Sequence, residues 1–238
     1  MRKVFMGSTS YQQVVYDVAK HSIESRSPDV EVRPIVQSAL RELGIYTRPV
    51  DLLGSTEFSI TRFLTPWLAG YKGWVLFCDN DIVCVDNINN LFDLVDHSKA
   101  VMVVKHRYQV KDNVKLDNQA QHQYPRKNWS SVILFNCNHP DVRRLTPELV
   151  NGASPLYLHR FQWIEDDNDI GELPHHWNHL VGVYKDYSNA KLLHYTDGGP
   201  YFKNYKDCDM ADVWRAEYKR YYGVEFEDKN IIDKDIRA

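Results

Sequence analysis

The sequence lacks the features that mark several common classes of protein. It has no run of about 18–20 apolar residues, so no transmembrane helix is predicted, and its first residues form no signal-peptide pattern. Its four cysteines include no C-x-x-C pair, which argues against a thiolate zinc site. Lys and Arg number 29 against 32 Asp and Glu, with no long basic run, which argues against nucleic acid as a partner. We therefore expect a cytoplasmic protein.

What is present is the composition of an ordinary folded domain. The chain has 238 residues, of which 43% are hydrophobic and 26% charged, so it can bury a sizeable core. We see no internal repeat and no low-complexity tract. We expect residues 1–238 to form a single domain, with the mostly charged residues 227–238 as a tail.

Strand and helix patterns alternate along the chain. Short apolar runs predict strands at 3–7, 30–36, 74–78, 100–104, 131–137 and 191–194. Helices are predicted at 11–24, 37–43, 58–71, 88–95, 141–150 and 210–222, the first of them capped by Ser10. The polar segment 109–127 has no usable period and is predicted to be a loop that faces the substrate. The alternation predicts an α/β fold with a mostly parallel central sheet flanked by helices.

The sharpest transition in the sequence is the step from strand 74–78 to Asp79-Asn80-Asp81. In an extended segment the carboxylates of Asp79 and Asp81 point to the same side, where their like charges repel. A divalent cation such as Mn²⁺ or Mg²⁺ relieves that repulsion and accepts substrate phosphates as further ligands. The alternative is that the tripeptide only opens a turn. Its position at the end of a predicted parallel strand favours the metal site, because open α/β sheets bind ligands there.

These residues are part of a wider resemblance. Segments 58–63 and 74–83 resemble the region that leads into the DxD motif of retaining glycosyltransferases of family 8, the glycogenin and bacterial galactosyltransferase type. The first strand, followed by Tyr11 and a helix, is similar too, and residues 191–195 resemble the strand that carries the late metal-binding His of that family. The resemblance covers roughly residues 3–205 and depends on three separate motifs in the same order.

The resemblance implies a GT-A fold and a hexosyltransferase that takes glucose or galactose from a UDP-sugar with retention of configuration. It implies a divalent cation, usually Mn²⁺, bound by Asp79, Asp81 and His194. It also implies that the segment after the first strand holds the uridine, with Tyr11 stacked on the base. The donor contacts expected from motif positions are Gly7, Ser8, Thr9, Tyr11, Arg62, Asn80, Gly198, Gly199 and Lys203.

The chain departs from the family pattern after His194. The family has one glycine three residues after that His and a lysine three residues later, whereas here Gly198 and Gly199 come four and five residues after it. The two glycines could still bring backbone N–H groups close to a phosphate. Lys203 is the nearest candidate for the missing lysine.

Two further segments are candidates for contacts with the sugars. Segment 163–170, which begins with Trp163, resembles a variant of the Asp-Gln segment that faces the reacting sugar, so Asp167 or Asp166 is expected to stabilise it. The alternative is that the acidic residues of this segment are only the solvated start of a helix. In the His-rich segment 174–179, no further ligand is spaced to complete a zinc site, and we expect Trp177 and Asn178 to form an acceptor wall.

Two other functions remain open at this point. A nucleotidyltransferase that makes sugar nucleotides would share much of the strand order, although the first strand is not followed by a glycine-rich loop with Lys or Arg for a triphosphate. A non-catalytic carbohydrate-binding or nucleotide-binding protein would need no metal. The sequence leaves the acceptor open among carbohydrates, proteins and small molecules, and it does not specify an oligomeric state.

Overall fold

A computed structural model describes residues 2–49, 56–107, 114–115, 119–120 and 125–232. Residues 109–113, 116–118 and 121–124 of the predicted loop 109–127, and residues 233–238 of the predicted tail, lie outside this range. Among the described residues, no helix combines the length and the apolar character needed to cross a bilayer. The strands are β1 (Arg2–Ser8), β2 (Val30–Val36), β3 (Trp74–Cys78), β4 (Ile82–Cys84), β5 (Val101–Val103), β6 (Val114–Lys115), β7 (Gln119–Ala120), β8 (Val132–Asn136), β9 (Ile170–Glu172), β10 (His179–Leu180) and β11 (Leu192–His194).

Two of the helices are long and the others have one or two turns. The long helices, α1 and α8, each have 12 residues and contact one another. Single turns of 3-10 helix occur at 61–64, 129–131, 167–169, 175–178, 203–205 and 228–230. The α-helices are α1 (Gln13–Glu24), α2 (Gln37–Glu42), α3 (Thr65–Leu68), α4 (Asn89–Phe92), α5 (Pro140–Arg143), α6 (Pro147–Gly152), α7 (Pro155–His159) and α8 (Ala211–Tyr222).

The central sheet has six strands in the order β2-β1-β3-β8-β5-β9. Strands β2, β1 and β3 are parallel, β8 is antiparallel to both β3 and β5, and β9 is parallel to β5. Five of the six strands therefore point the same way and only β8 is reversed. This arrangement confirms the α/β fold with a mostly parallel central sheet.

The sheet separates two apolar layers because successive side chains of a strand face opposite sides. In β3, Val75 and Phe77 pack into one cluster, which includes residues of segment 58–64 and α7. Leu76 and Cys78 pack into the other cluster, which includes residues of α1 and α4. With both faces covered, the inner strands β3, β5 and β8 are nearly continuous apolar runs, whereas the edge strand β2 carries the polar residues Glu31 and Arg33.

A second, three-stranded sheet has the order β10-β11-β4, with β4 antiparallel to β11. Its residues Val83 and Leu193 pack with Trp214 of α8 in a third apolar cluster. Strand β4 follows the Asp79-Asn80-Asp81 segment directly, so this small sheet connects the end of β3 to the late strand β11.

Local signals explain where the helix predictions were wrong. Ser10 does not cap α1, because its hydroxyl donates to Glu57 at 2.7 Å and the helix begins without a side-chain cap. The predicted helix 141–150 is broken into α5 and α6, since Pro147 has no N–H to donate to a continuing helix. Thr146 begins the second helix by accepting a hydrogen bond from the Leu149 N–H at 3.3 Å.

Candidate active site

Three side chains with metal-binding atoms meet where β3 ends. Asp79 follows β3, Asp81 precedes β4 and His194 is the last residue of β11. The antiparallel register places His194 opposite Ile82, and the Tyr195 N–H donates to the Asp81 carbonyl at 2.8 Å. One ligand atom from each of Asp79, Asp81 and His194 lies within 4.8 Å of the others. The structure thus joins two parts of the chain that are far apart in sequence into one triad.

The protonation of His194 makes this triad suitable for a cation. Its Nδ1 lies 2.8 Å from Oδ1 of Asn178, an acceptor, so in the neutral ring Nδ1 carries the proton. The lone pair of Nε2 then lies 3.2 Å from Oδ1 of Asp81. Two acceptors this close repel one another unless a positive charge lies between them. A divalent cation bound by two carboxylates and one imidazole satisfies this requirement.

Arg62 is buried beside the triad and balances one of its charges. Its guanidinium lies 2.9 Å from Oδ1 of Asp79 and also donates to the Ser130 carbonyl at 2.8 Å. The guanidinium packs over the rings of Phe58 and Phe77, with centroid distances of 5.5 and 5.0 Å. Arg62 therefore holds Asp79 in place, and the side chain that the sequence assigned to donor phosphates is committed to Asp79.

His159 and two serines form a hydrogen-bonded group near Arg62 that the sequence did not reveal. His159, on α7, is 2.8 Å from the Ser130 hydroxyl through Nδ1 and 3.3 Å from the Ser59 hydroxyl through Nε2. Burial, and then the positive charge of Arg62, lowers the pKa of the His159 imidazole to about 3. This histidine is therefore neutral at physiological pH and adds no charge to the site. Neither serine is part of a pattern that would have marked it in advance.

A second triad, His139, Asp141 and Asp169, also brings ligand atoms within 4.8 Å. Its chemistry differs, because Nδ1 of His139 accepts the Asp141 N–H at 3.3 Å and caps α5. The neutral ring then carries its proton on Nε2, which lies 3.6 Å from Oδ2 of Asp169. A ligating histidine ordinarily donates through its other nitrogen. The Nδ1 lone pair that a cation would need already accepts the Asp141 N–H. His139 therefore caps α5 and does not offer that nitrogen to a metal.

Residues after β1 lie at the same edge of the sheet as Asp79, because Met6 pairs with Cys78 in parallel register. The Thr9 hydroxyl donates to Oε1 of Gln12 at 3.2 Å, and the Asn80 amide donates to the same oxygen at 3.4 Å. The side chain of Asn80 is buried against Gln12, and its expected contact with the sugar donor remains a prediction. Gln12 was not predicted to belong to the site.

The positions of the other residues expected to contact the sugar donor are as follows. Ser8 ends β1 and is buried, and Tyr11 is half-buried in the turn between β1 and α1, beside the carboxyl end of β3. Lys203 is exposed and begins a turn of 3-10 helix. Base stacking by Tyr11 and phosphate binding by Lys203 remain predictions.

Gly7 has a packing role that the sequence did not indicate. A Cβ at this position would lie 2.3 Å from the Phe58 ring. Gly7→Ala is therefore expected to lower the free energy of unfolding by about 1–3 kcal/mol, the usual cost of overpacking. Gly152→Ala is a matched control, because a Cβ there meets no atom within 4 Å. Urea denaturation of both variants checks the prediction, and equal stabilities would contradict it.

The glycines after His194 are required by neighbouring tyrosines. Gly198 has φ of +136° and donates its N–H to the Tyr195 carbonyl at 2.9 Å, so that N–H is not available to a phosphate. A Cβ on Gly198 would lie 2.6 Å from the Tyr205 ring, and one on Gly199 would lie 2.4 Å from the Tyr201 ring. The phosphate contact expected of Gly198 is therefore wrong.

Asp166 and Asp167 do not join the triad. They precede β9, which is parallel to β5 and therefore to β3, so they lie at the amino end of the parallel strands. Asp79 lies at the carboxyl end. Asp166 accepts a hydrogen bond at the start of a 3-10 turn, and the exposed Asp167 pairs with Arg126 at 2.5 Å. The 3-10 turn at 167–169 agrees with the alternative, a solvated helix start, and the catalytic role expected of these aspartates remains a prediction.

Trp163 and Trp177, the tryptophans of the two segments predicted to contact sugars, are core residues. Trp163 is fully buried and stacks on Phe135 with ring centroids 6.3 Å apart. Trp177 is 1% exposed, and Nζ of Lys191 lies 5.2 Å from its ring centroid. Asn178 is fully buried as well, and its partner is His194. Asn178 therefore supports His194 from behind, and the burial of all three side chains argues against the acceptor contacts expected of them.

The arrangement of strands and helices matches solved glycosyltransferase structures. The apo WbbM bifunctional glycosyltransferase aligns with a TM-score of 0.63 at 14% identity, over 93% of this chain and 50% of that one. GlyE of Streptococcus pneumoniae TIGR4 gives 0.60 at 15% identity, over 91% and 60%. The galactosyltransferase LgtC, solved with donor and acceptor sugar analogues, gives 0.56 at 12% identity, over 95% and 98%. The chain thus spans about half of WbbM and has the GT-A fold of these enzymes.

Sequence comparison places the chain in a family. No model of a known protein family matches it. Protein CDI of Arabidopsis thaliana is 46% identical over 225 residues, which cover 92% of this chain and 86% of that protein. The chain belongs to the family of Protein CDI.

Proposed function

We propose that this protein is a metal-dependent glycosyltransferase. In this proposal it transfers glucose or galactose from a UDP-sugar to a carbohydrate, protein or small-molecule acceptor, with retention of configuration, and residues 1–238 act as one domain. The observation that supports the proposal best is the convergence of Asp79, Asp81 and His194 within 4.8 Å. They converge at the carboxyl end of β3, where open α/β sheets bind ligands.

The donor set of the triad favours one kind of cation. Carboxylate oxygens suit both Mg²⁺ and Mn²⁺, whereas an imidazole nitrogen suits Mn²⁺ better than Mg²⁺. We therefore propose Mn²⁺ as the cofactor, held by Asp79, Asp81 and His194. When bound, the cation would neutralise negative charge on the departing diphosphate.

The chain holds these ligand atoms in place before a donor binds. The Asp79 N–H donates to the Ser131 carbonyl at 2.9 Å, and the Asp81 carbonyl accepts from the Tyr195 N–H at 2.8 Å. Each end of the tripeptide is thus fixed to a residue that borders another strand, Ser131 before β8 and Tyr195 after β11. Arg62 fixes the side chain of Asp79 as well. Such fixed groups need little reorganisation as charge develops during transfer.

Removal of the metal is expected to abolish donor binding. UDP with Mn²⁺ should raise the Tm of the wild type, and EDTA should cancel that rise. A ligand at about 100 times its Kd adds about 2.7 kcal/mol to stability, so the shift is measurable by thermal denaturation. ADP and GDP test the choice of base. UDP-glucose and UDP-galactose should then release UDP only when the cation is present.

Three outcomes separate the proposal from its rivals. A thermal shift by UDP that is the same in Mn²⁺ and in EDTA would contradict metal dependence. Metal-dependent UDP binding without UDP release from any donor would indicate a nucleotide-binding protein without transfer activity. With an accepted donor and acceptor, the proton coupling of the anomeric carbon in the product, measured by NMR, tests retention.

A further inference from the structure

A chain of hydrogen bonds leads from the backbone of Asn128 through Ser131 and Asn178 to His194. The Ser131 hydroxyl donates to the Asn128 carbonyl at 2.7 Å. A hydroxyl has one proton, so Ser131 can offer only lone pairs to its other neighbours. The neighbour on that side is the amide of Asn178, at 2.9 Å from the Ser131 oxygen. The amide must therefore turn its NH₂ group toward Ser131.

This constraint fixes the other end of the same amide. With its NH₂ group toward Ser131, Asn178 directs Oδ1 toward Nδ1 of His194 at 2.8 Å. An amide oxygen can only accept, so Nδ1 must donate and Nε2 is left as the acceptor. Asn178 is fully buried and His194 is 2% exposed, so no bulk water competes for these contacts.

The anchor of the chain is set by backbone geometry. Asn128 has φ of +61°, a left-handed conformation that asparagine adopts more readily than most residues. It precedes the 3-10 turn 129–131, and the Ser131 carbonyl at the end of that turn accepts the Asp79 N–H at 2.9 Å. The same turn thus positions both the DxD segment and the amide behind His194.

We propose that Asn178 is a positioning residue that determines whether His194 can bind a cation. With the proton on Nδ1, Nε2 offers a lone pair beside Asp81. With the proton on Nε2, the ring would instead donate to Oδ1 of Asp81, which lies 3.2 Å away, and a closed His–Asp hydrogen bond would replace the metal site. The inference rests on the proposed function only where it concerns metal binding. The tautomer of His194 is a property of the metal-free protein.

Asn178→Leu tests the proposal, since leucine has a similar volume and accepts no hydrogen bond. In the metal-free variant, the His194 proton is expected to move to Nε2, which ¹⁵N NMR of the ring nitrogens detects. Mn²⁺ affinity, measured by the EPR signal of the free ion without nucleotide, should fall about 10–100-fold, the usual effect of losing such a partner. Asn178→Asp retains an acceptor for Nδ1 and should preserve the wild-type tautomer, with the Ser131 hydroxyl turning from the Asn128 carbonyl to donate to the new carboxylate.

Two further variants control for structural damage. Asn136→Leu removes a buried amide at the far end of β8, where it donates to the Lys99 carbonyl at 2.9 Å. It should lower stability without changing the tautomer of His194 or the Mn²⁺ affinity. Ser131→Ala leaves the Asn178 NH₂ group with the Asn128 carbonyl, 3.5 Å away, as its remaining acceptor, so a fraction of the amides should rotate and give a mixture of tautomers with weaker Mn²⁺ binding. It tests the proposal even when Asn178→Leu does not fold.

The outcomes distinguish this inference from the proposed function. A folded Asn178→Leu variant with the wild-type tautomer and Mn²⁺ affinity would overturn the role of Asn178 and leave the proposed function standing. A wild type that binds no Mn²⁺, together with a tautomer that switches in the variant, would overturn the proposed function and leave the assignment of the hydrogen bonds standing.

Discussion

Asp81→Asn is expected to lower UDP release from a UDP-sugar by on the order of 10²–10³-fold, a typical effect of losing one electrostatic stabiliser in an active site. The substitution keeps an oxygen but removes the charge that would hold the cation. Stability should stay the same or rise, because the metal-free protein holds Oδ1 of Asp81 3.2 Å from the Nε2 lone pair of His194. An amide at this position can donate to that nitrogen. Steady-state kinetics and thermal denaturation without metal measure the two effects.

Asp79→Asn separates the two roles of the carboxylates. Activity should fall by a similar factor, but here the fold should lose about 1–3 kcal/mol, the usual cost of leaving a buried polar group without its partner. The reason is Arg62, which is 5% exposed and lies 2.9 Å from Oδ1 of Asp79. The variant leaves this guanidinium buried opposite a neutral group.

Asp93→Asn is the matched control for both variants, because Asp93 pairs with Arg2 at the surface. It should change neither kinetics nor stability by a measurable amount, as is usual for exposed pairs. Equal activity of wild type, Asp79→Asn and Asp81→Asn would contradict the proposed site. Equal stability losses in the two site variants would contradict the assignment of Arg62 to Asp79.

The sequence predicted the parts of the fold whose signals are local. Strand 74–78 was predicted to the residue, because its apolar run stops abruptly at the polar Asp79. The first unit, β1-α1-β2, was predicted for the same reason, with errors of one or two residues at its ends. These elements form one side of the central sheet and place Asp79 at its carboxyl edge, so two of the three triad residues, Asp79 and Asp81, followed from periodicity and charge alone.

The position of the third triad residue, His194, depends on a contact between distant segments. Strand β4 has three residues, too few for a periodic signal, and its pairing with β11 is what brings His194 beside Asp81. Only the family resemblance suggested His194 in advance. The two tryptophans show the same limit. Trp163 and Trp177 are aromatic residues of the kind that stacks on sugars, but whether a ring faces solvent or core depends on packing that one sequence does not display.

A buried ion-pair network far from the triad joins the two long helices. The Glu217 side chain, on α8, is completely buried, and its oxygens lie 2.8 Å from Arg26 and 2.7 Å from Arg220. His21, on α1, contacts it at 2.7 Å. Burial by itself would raise the pKa of the Glu217 carboxyl, but the hydrogen bond and charge of Arg26 outweigh it and hold the pKa below its ordinary value of 4.5.

Glu217→Gln is therefore expected to lower the free energy of unfolding by about 1–3 kcal/mol, because the buried side chain loses its charged hydrogen bonds to the partly buried Arg26 and to Arg220. Glu225→Gln is the control, since Glu225 forms an exposed pair with Lys219 near the end of the same helix. That change should cost less than about 1 kcal/mol. Urea denaturation at neutral pH measures both, and equal losses would contradict a special role for Glu217.

The pH dependence of this difference follows from the direction of the pKa shift. A carboxyl whose pKa is lower in the folded state stabilises the fold at pH values above its unfolded pKa. For Glu217, with an ordinary pKa of 4.5, that contribution should be complete at neutral pH and should disappear as the pH falls below 4.5 and through the lower folded pKa. The stability difference between wild type and Glu217→Gln should therefore shrink steadily in urea titrations from pH of about 6 to about 3. A difference that stayed constant over this range would show that the loss in the variant comes from packing and not from the charge of Glu217.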